Sequence, residues 1–117
     1  MEFTEEDKPL VRQTSMSGGQ KDAKLARFSL LPQAALHEVA EVYGYGAKKY
    51  EANNWRKGYP YSWSLDALGR HLNAFSRGEE LDPESGSHHL AHAAFHILTL
   101  LEWRLNADQD YFDDRVN

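Results

Sequence analysis

Apolar positions recur every three or four residues along most of this chain and nowhere alternate strictly in twos, so the pattern predicts helices and no half-buried strand. Leu36, Val39, Ala40 and Tyr43 share one face of a helix that opens at Pro32, where proline suits the first turn, and that Gly44 and Gly46 are expected to end. Leu65, Leu68, Leu72 and Phe75 form the expected buried stripe of a second helix, capped by Ser62 or Ser64 and closed at Gly78. Asp82 followed by Pro83 reads as a third helix start, a capping carboxylate with proline at the first helical position. That pattern runs to about Leu105, with Gly86 as a weak point that can delay the regular helix to Ser85 or Ser87. Residues 47–61 are a turn-rich connector with room for one helical turn. Residues 1–27 form an expected extended arm, in which Gly18 and Gly19 followed by Lys21 can wrap a phosphate. The expected organisation is therefore one all-α domain over 1–117: arm 1–27, helical core 30–105 and acidic tail 106–117. Three such helices bury their stripes incompletely, so a helical bundle completed by self-association is expected, a homodimer or homotetramer.

Composition narrows the function classes. A chain of 117 residues supports one modest core. With no cysteine, any metal must be held by His, Asp, Glu or carbonyl oxygen. A net charge of −5 argues against a nucleic acid polymer as partner but not against one nucleotide, which needs only a few local cations. No apolar run approaches the roughly twenty residues of a membrane span, and the acidic start lacks a basic secretory region, so the expected address is the cytoplasm, with no membrane partner.

The chemistry concentrates in histidines. His88, His89, His92 and His96 fall close together, and at about 100° per residue His89, His92 and His96 lie within an arc of about 60°. Such a stripe either satisfies itself against carbonyls and carboxylates or faces a polar cavity where imidazoles bind metal, relay protons or touch phosphate. Glu38 and Glu41 stand one turn apart, off the apolar face. They are either solvated or, if a second subunit covers that face, placed to hold Mg2+ or Mn2+. Glu79, Glu80, Asp82 and Glu84 cluster before the histidines. Lys48 and Lys49 beside Tyr50, Arg56 and Lys57 beside Trp55, and Arg70 beside His71 supply cations; with Asn53 and Asn54 they suit a pocket for a base and its phosphates.

The segments GGQK, RFSLLP, YGAKKYEANNW and ALGRHLNAFSRGEELDPESGSHHLAHAAFHILTLL together resemble the phage dATP/dGTP diphosphohydrolase family, related to the MazG-like all-helical nucleotide pyrophosphohydrolases. The resemblance covers residues 18 to about 101 and implies Mg2+- or Mn2+-dependent cleavage of purine deoxynucleoside triphosphates to monophosphate and pyrophosphate. Where the wider MazG-like pattern has E-E-x-x-E, this chain has His37, Glu38 and Glu41; where it has a helical E-x-x-D, this chain offers His89 and His92. An E-x-x-D does occur at Glu79 and Asp82, ahead of a proline. On that reading Glu38, Glu41 and Asp82 are the metal carboxylates, and His89 and His92 complete the metal shell or bond to a metal-bearing carboxylate. Lys21, Lys48, Lys49 and Arg70 are the candidate phosphate contacts. Trp55 or Tyr50 is placed to stack on the purine, with Asn54 at its edge. Two other classes compete: a non-enzymatic dimeric helical adaptor or inhibitor, and a phosphohydrolase that releases triphosphate, which usually uses an adjacent His-Asp pair that this sequence lacks.

Overall fold

The computed structural model describes residues 11–115; residues 1–10 and 116–117, parts of the expected arm and tail, lie outside them. The chain divides into two compact units, Met1–Pro32 and Gln33–Asn117.

The first unit corrects the extended arm. It carries an antiparallel hairpin of β1 (Val11–Thr14) and β2 (Gln20–Ala23), with Val11 opposite Ala23 and Thr14 opposite Gln20. These strands are four residues long and mostly polar, so they leave no alternation to detect. Gly18 takes a φ of +90°, open to glycine at little cost. Its amide donates to the Ser15 carbonyl at 2.9 Å, and the Gly19 amide donates to Ser15 Oγ at 3.1 Å. The turn itself therefore consumes both glycine amides that the sequence offered to a phosphate.

The second unit is all-α: α1 (Gln33–Lys49), α2 (Tyr61–Ser76) and α3 (His89–Leu105), with short 3-10 turns at Asn54–Lys57 and Ala107–Phe112. Helix α3 packs on both others. Against α1 it builds the apolar core, where Val39, Val42 and Ala91 are buried and Tyr43, Ala94 and Phe95 close around them. The rings of Tyr43 and Phe95 sit 4.4 Å apart, and the Tyr43 hydroxyl lies 2.8 Å from Thr99 Oγ1. Helix α1 runs through Gly44 and Gly46 to Lys49, past its expected end. Each glycine costs a helix about 1 kcal/mol relative to alanine, and packing of the residues around them outweighs that.

Helix α2 departs from expectation more deeply. It starts at Tyr61 after Pro60, and neither Ser62 nor Ser64 caps it. The acidic tail does so instead: Asp114 accepts the Ser62 amide at 2.9 Å and the Ser62 hydroxyl at 2.6 Å. The expected buried stripe is largely turned outward, with Leu65, Leu72 and Phe75 all exposed. The residues that α2 buries are Tyr61 and Ser64, and His71 lies half-buried on the same side. Tyr61 stacks on Trp103, which is 1% exposed and meets Tyr59 edge-on at 4.9 Å. Helix α3 is likewise polar inside, burying His89, His92 and Thr99 while Leu90, Ile97, Leu98 and Leu101 remain exposed. Among the described residues no helix is long and apolar enough to cross a membrane.

Candidate functional site

The site begins where α2 faces α3. Ser64 and His71, two turns apart on α2, meet the histidine ladder of α3. Ser64 is fully buried, and its hydroxyl lies 3.0 Å from both His96 Nδ1 and the Tyr59 hydroxyl. The His71 and His92 rings stack in parallel, 4.5 Å between centroids and 5° between planes. His71 Nδ1 lies 2.9 Å from His89 Nδ1, and His89 Nε2 lies 2.6 Å from the Glu79 carboxylate. A carboxylate only accepts, so His89 donates Nε2–H to Glu79, and a single proton joins His89 Nδ1 to His71 Nδ1.

The loop between α2 and α3 brings a carboxylate to this cluster. The expected helix start at Asp82 and Pro83 is a tight turn instead. Asp82 Oδ1 accepts the Glu84 amide at 2.8 Å, the Asp82 carbonyl accepts the Gly86 amide at 2.7 Å, and the Asp82 amide donates to the Ser87 carbonyl at 2.8 Å. Gly86 supports the turn with a φ of +76°. A bridge between Leu81 and His88 ties the loop off, and α3 starts only at His89. Asp82 Oδ2 is thereby left 3.7 Å from His92 Nε2 and 4.0 Å from His71 Nδ1. Ser85 Oγ lies 2.7 Å from His92 Nε2. One ligand atom each from His71, Asp82 and His92 falls within 4.8 Å of the other two, a spacing that a single cation can bridge.

These three side chains edge a cavity of about 790 Å3, within the usual range for small-molecule sites. Its other walls come from the C-terminal half of α1, the connector and the start of α2, including Tyr45, Lys49, Asn54, Trp55, Arg56, Tyr59 and Trp63. Trp55 leans edge-on against Tyr43, with the Arg56 guanidinium 4.3 Å above its ring, and Trp63 stacks on Tyr59 at 5.8 Å. Lys49 donates to Glu84 at 2.6 Å, as does the Tyr45 hydroxyl at 3.1 Å. The Lys49 hydrogen bond lowers the Glu84 pKa and raises that of Lys49, so the pair stays charged.

Burial keeps the inner histidines neutral. Desolvation is the main cause lowering the pKa of His71, His92 and His96, with neighbouring histidines adding to it, and His96 falls to about 4. For a base whose folded pKa lies below its unfolded value, the unfolded chain takes up the proton more readily. The stabilisation is therefore complete above the unfolded pKa of about 6.5 and is lost as pH falls towards 4. His96 accounts for roughly 2 kcal/mol of that after allowing for residual solvent screening. Thermal melts at fixed ionic strength should show the midpoint falling by about 10 °C from pH 6.5 to 4.5, and His96→Asn should flatten the slope. A flat profile in the unsubstituted protein would contradict the neutral-histidine interior.

Of the residues singled out in the sequence, the structure brings Asp82 and His92 together, places His89 behind His71, and sets Lys49, Asn54 and Trp55 in the cavity wall. Lys48 and Arg70 are exposed and do not line the cavity, and Lys21 belongs to the hairpin unit. Glu38 and Glu41 are also outside the cavity lining. They share a separate exposed cluster with His37, whose Nδ1 is 3.1 Å from Glu41 and 3.4 Å from Glu38, and His88 Nε2 lies 3.6 Å from Glu38. His71 was missed, although a ladder of three inward histidines needs polar partners on a facing helix. Glu38→Gln is accordingly expected to change nucleotide turnover by less than about tenfold, against the 100-fold or greater loss typical of removing a stabiliser of developing charge; steady-state assays decide between the two.

Residues 15–115 match the family described as dATP/dGTP diphosphohydrolase, N-terminal. The chain belongs to that family. The matched segment includes the whole cavity with His71, Asp82 and His92. A protein of Salmonella phage PMBT28 named dATP/dGTP diphosphohydrolase is 36% identical over 100 residues, covering 86% of this chain and 33% of that protein. The chain thus spans about a third of the length of this curated relative. No solved structure matches it.

Proposed function

We propose that this chain hydrolyses purine deoxynucleoside triphosphates, dATP or dGTP, to monophosphate and pyrophosphate with Mg2+ or Mn2+, in the host cytoplasm if the chain is phage-encoded. The observation that carries the reading is the cavity: a His71, Asp82 and His92 cluster on one wall, and aromatic rings with Lys49 and Arg56 on another. The name of the phage relative supports the substrate class.

The donor set fits a divalent cation, with two imidazoles that burial holds neutral and one carboxylate free at Oδ2. When bound, that ion supplies charge neutralisation for the triphosphate and activation of water. The remaining work falls to the chain. Lys49 can exchange its Glu84 carboxylate for a phosphate oxygen without moving between elements, and Arg56 extends a second cation along the same wall. Trp55 and Trp63 present faces suited to a purine, and Asn54 a donor and acceptor for its edge. Glu79 and His89 hold the His71 ring in place.

Self-association belongs to the same reading. The leucines that α2 and α3 leave exposed suit a homodimer or homotetramer, and equally a non-enzymatic adaptor that docks another helix. Incubation with each deoxynucleoside triphosphate and Mn2+, followed by separation of products, tests the function. Monophosphate with pyrophosphate is expected from the purine substrates. Triphosphate release would reassign the bond cleaved, and no turnover with no nucleotide-induced rise in melting temperature would favour the adaptor.

A further inference from the structure

We propose that His71, Asp82 and His92 form a metal site selective for a first-row transition dication over Mg2+. The inference rests on the ion site of the functional reading above and narrows which ion it takes. Mg2+ is a hard ion that prefers oxygen donors in a near-ideal octahedron and is reluctant to exchange water for other ligands. This site offers it a single carboxylate and two nitrogens. Imidazole binds transition ions more strongly, and two histidines with one carboxylate are the donor set of sites that hold Fe2+ with open positions for substrate.

Two features beyond ligand count indicate that the site is set for nitrogen ligation. The first is orientation. Metal-binding histidines characteristically have their second nitrogen tied down, which fixes the tautomer. Here the His71 ring is held by His89, 2.9 Å away between Nδ1 atoms, which is 5% exposed and anchored in turn on Glu79 at 2.6 Å. Ser85 Oγ accepts the Ser87 amide at 3.1 Å, which frees its own hydrogen to point at His92 Nε2, 2.7 Å away. His92 Nε2 is thus an acceptor 3.7 Å from Asp82 Oδ2, where an ion would take the place of the Ser85 hydroxyl, and His71 Nδ1 stands 4.0 Å from the same oxygen. The second feature is the carboxylate. Asp82 Oδ1 is occupied by the turn, so one charged oxygen remains for the ion against two imidazole nitrogens, a balance that suits a transition dication.

The other candidate group, His37 with Glu38 and Glu41, lacks this support. Its residues are exposed or half-buried, and their contacts are with one another or with His88.

The test uses chelator-stripped protein without nucleotide, so it does not depend on turnover. Calorimetric titration with MnCl2, CoCl2, ZnCl2 and MgCl2 should give one ion per chain, with Co2+ and Zn2+ held about 100-fold or more tighter than Mg2+. Pulsed EPR of the Mn2+-loaded unsubstituted protein should show two directly bound imidazole nitrogens, a readout that needs no variant to fold. His92→Asn should lower transition-ion affinity by about 100-fold. Glu79→Gln, which touches no ion and acts only through His89 and His71, should lower it by about 10-fold. Mg2+ binding as tightly as Co2+, no nitrogen coupling to Mn2+, or full affinity in a His92→Asn protein with native circular dichroism would each overturn the proposal. Tight, nitrogen-coordinated binding with no deoxynucleotide turnover would uphold the site while sinking the phosphohydrolase reading.

Discussion

Asp82→Asn is expected to lower dATP or dGTP turnover by two or more orders of magnitude while shifting the melting temperature by less than about 4 °C. The two oxygens of Asp82 do different jobs, and that separates the effects. Oδ1 accepts the Glu84 amide and holds the turn together; an asparagine carbonyl accepts the same hydrogen bond, and Asn and Asp cap comparably. Oδ2 faces His92 Nε2 at 3.7 Å and His71 Nδ1 at 4.0 Å, and there the substitution replaces a charged acceptor by a neutral donor. A cation would meet an NH2 group in place of its only carboxylate. Steady-state rates at limiting and at excess Mn2+, beside a melt, read both jobs at once. Partial rescue by excess Mn2+ would place the loss in ion affinity, and His92→Asn should behave alike. Full activity of Asp82→Asn at limiting Mn2+ would reduce Asp82 to a turn residue and remove the core of the proposed site.

The same residue shows how far the sequence could be read. Asp82 followed by Pro83 is a sound capping signal, but the physical event behind it is only a carboxylate accepting an amide two or three residues on. That event closes an isolated turn as well as it starts a helix. Gly86, with its positive φ, and the bridge from Leu81 to His88 decide for the turn, and both depend on tertiary context. The consequence is functional. In a continuous helix Asp82 would stand about 10 Å of rise from His89, whereas the loop folds it back against His92. The three helices themselves were legible from periodicity, and α1 overran its expected end because Tyr43 and Tyr45, on either side of Gly44, pack against Phe95 and His92 of α3.

The face of α2 was not legible, because periodicity assumes that the apolar stripe turns inward. Here the inward residues are Ser64 and His71, each immediately before a leucine of the expected stripe, so the helix is rotated by about 100° from the assumed facing. A row of buried polar residues is costly unless each finds a partner. The partners are the histidines of α3, which is why the ladder in one helix and His71 in another belong to one feature. His89 was legible as inward but not its role. Only the structure shows both its nitrogens engaged, by Glu79 and by His71.

That rotation has a second consequence, the largest expected effect outside the cavity. Leu101→Glu should convert an oligomer at micromolar concentration into a monomer of 13.4 kDa without unfolding it. In a lone chain Leu101 is 51% exposed and Ile97, one turn earlier, 52% exposed. At an exposed helix position a leucine-to-glutamate change usually moves stability by no more than about 0.5 kcal/mol, and both residues favour helix. If α3 buries this face against a second copy, the same change removes about 2 kcal/mol of leucine burial and forces a carboxylate into an apolar contact. Each 1.4 kcal/mol is about tenfold in affinity, so dissociation should weaken the assembly by at least 100-fold. Sedimentation velocity across a concentration series, with circular dichroism as a check on helix content, distinguishes the cases. A monomeric unsubstituted protein would mean that the outward leucines serve another partner or none, whereas helix loss in Leu101→Glu would mean that this face already packs within one chain.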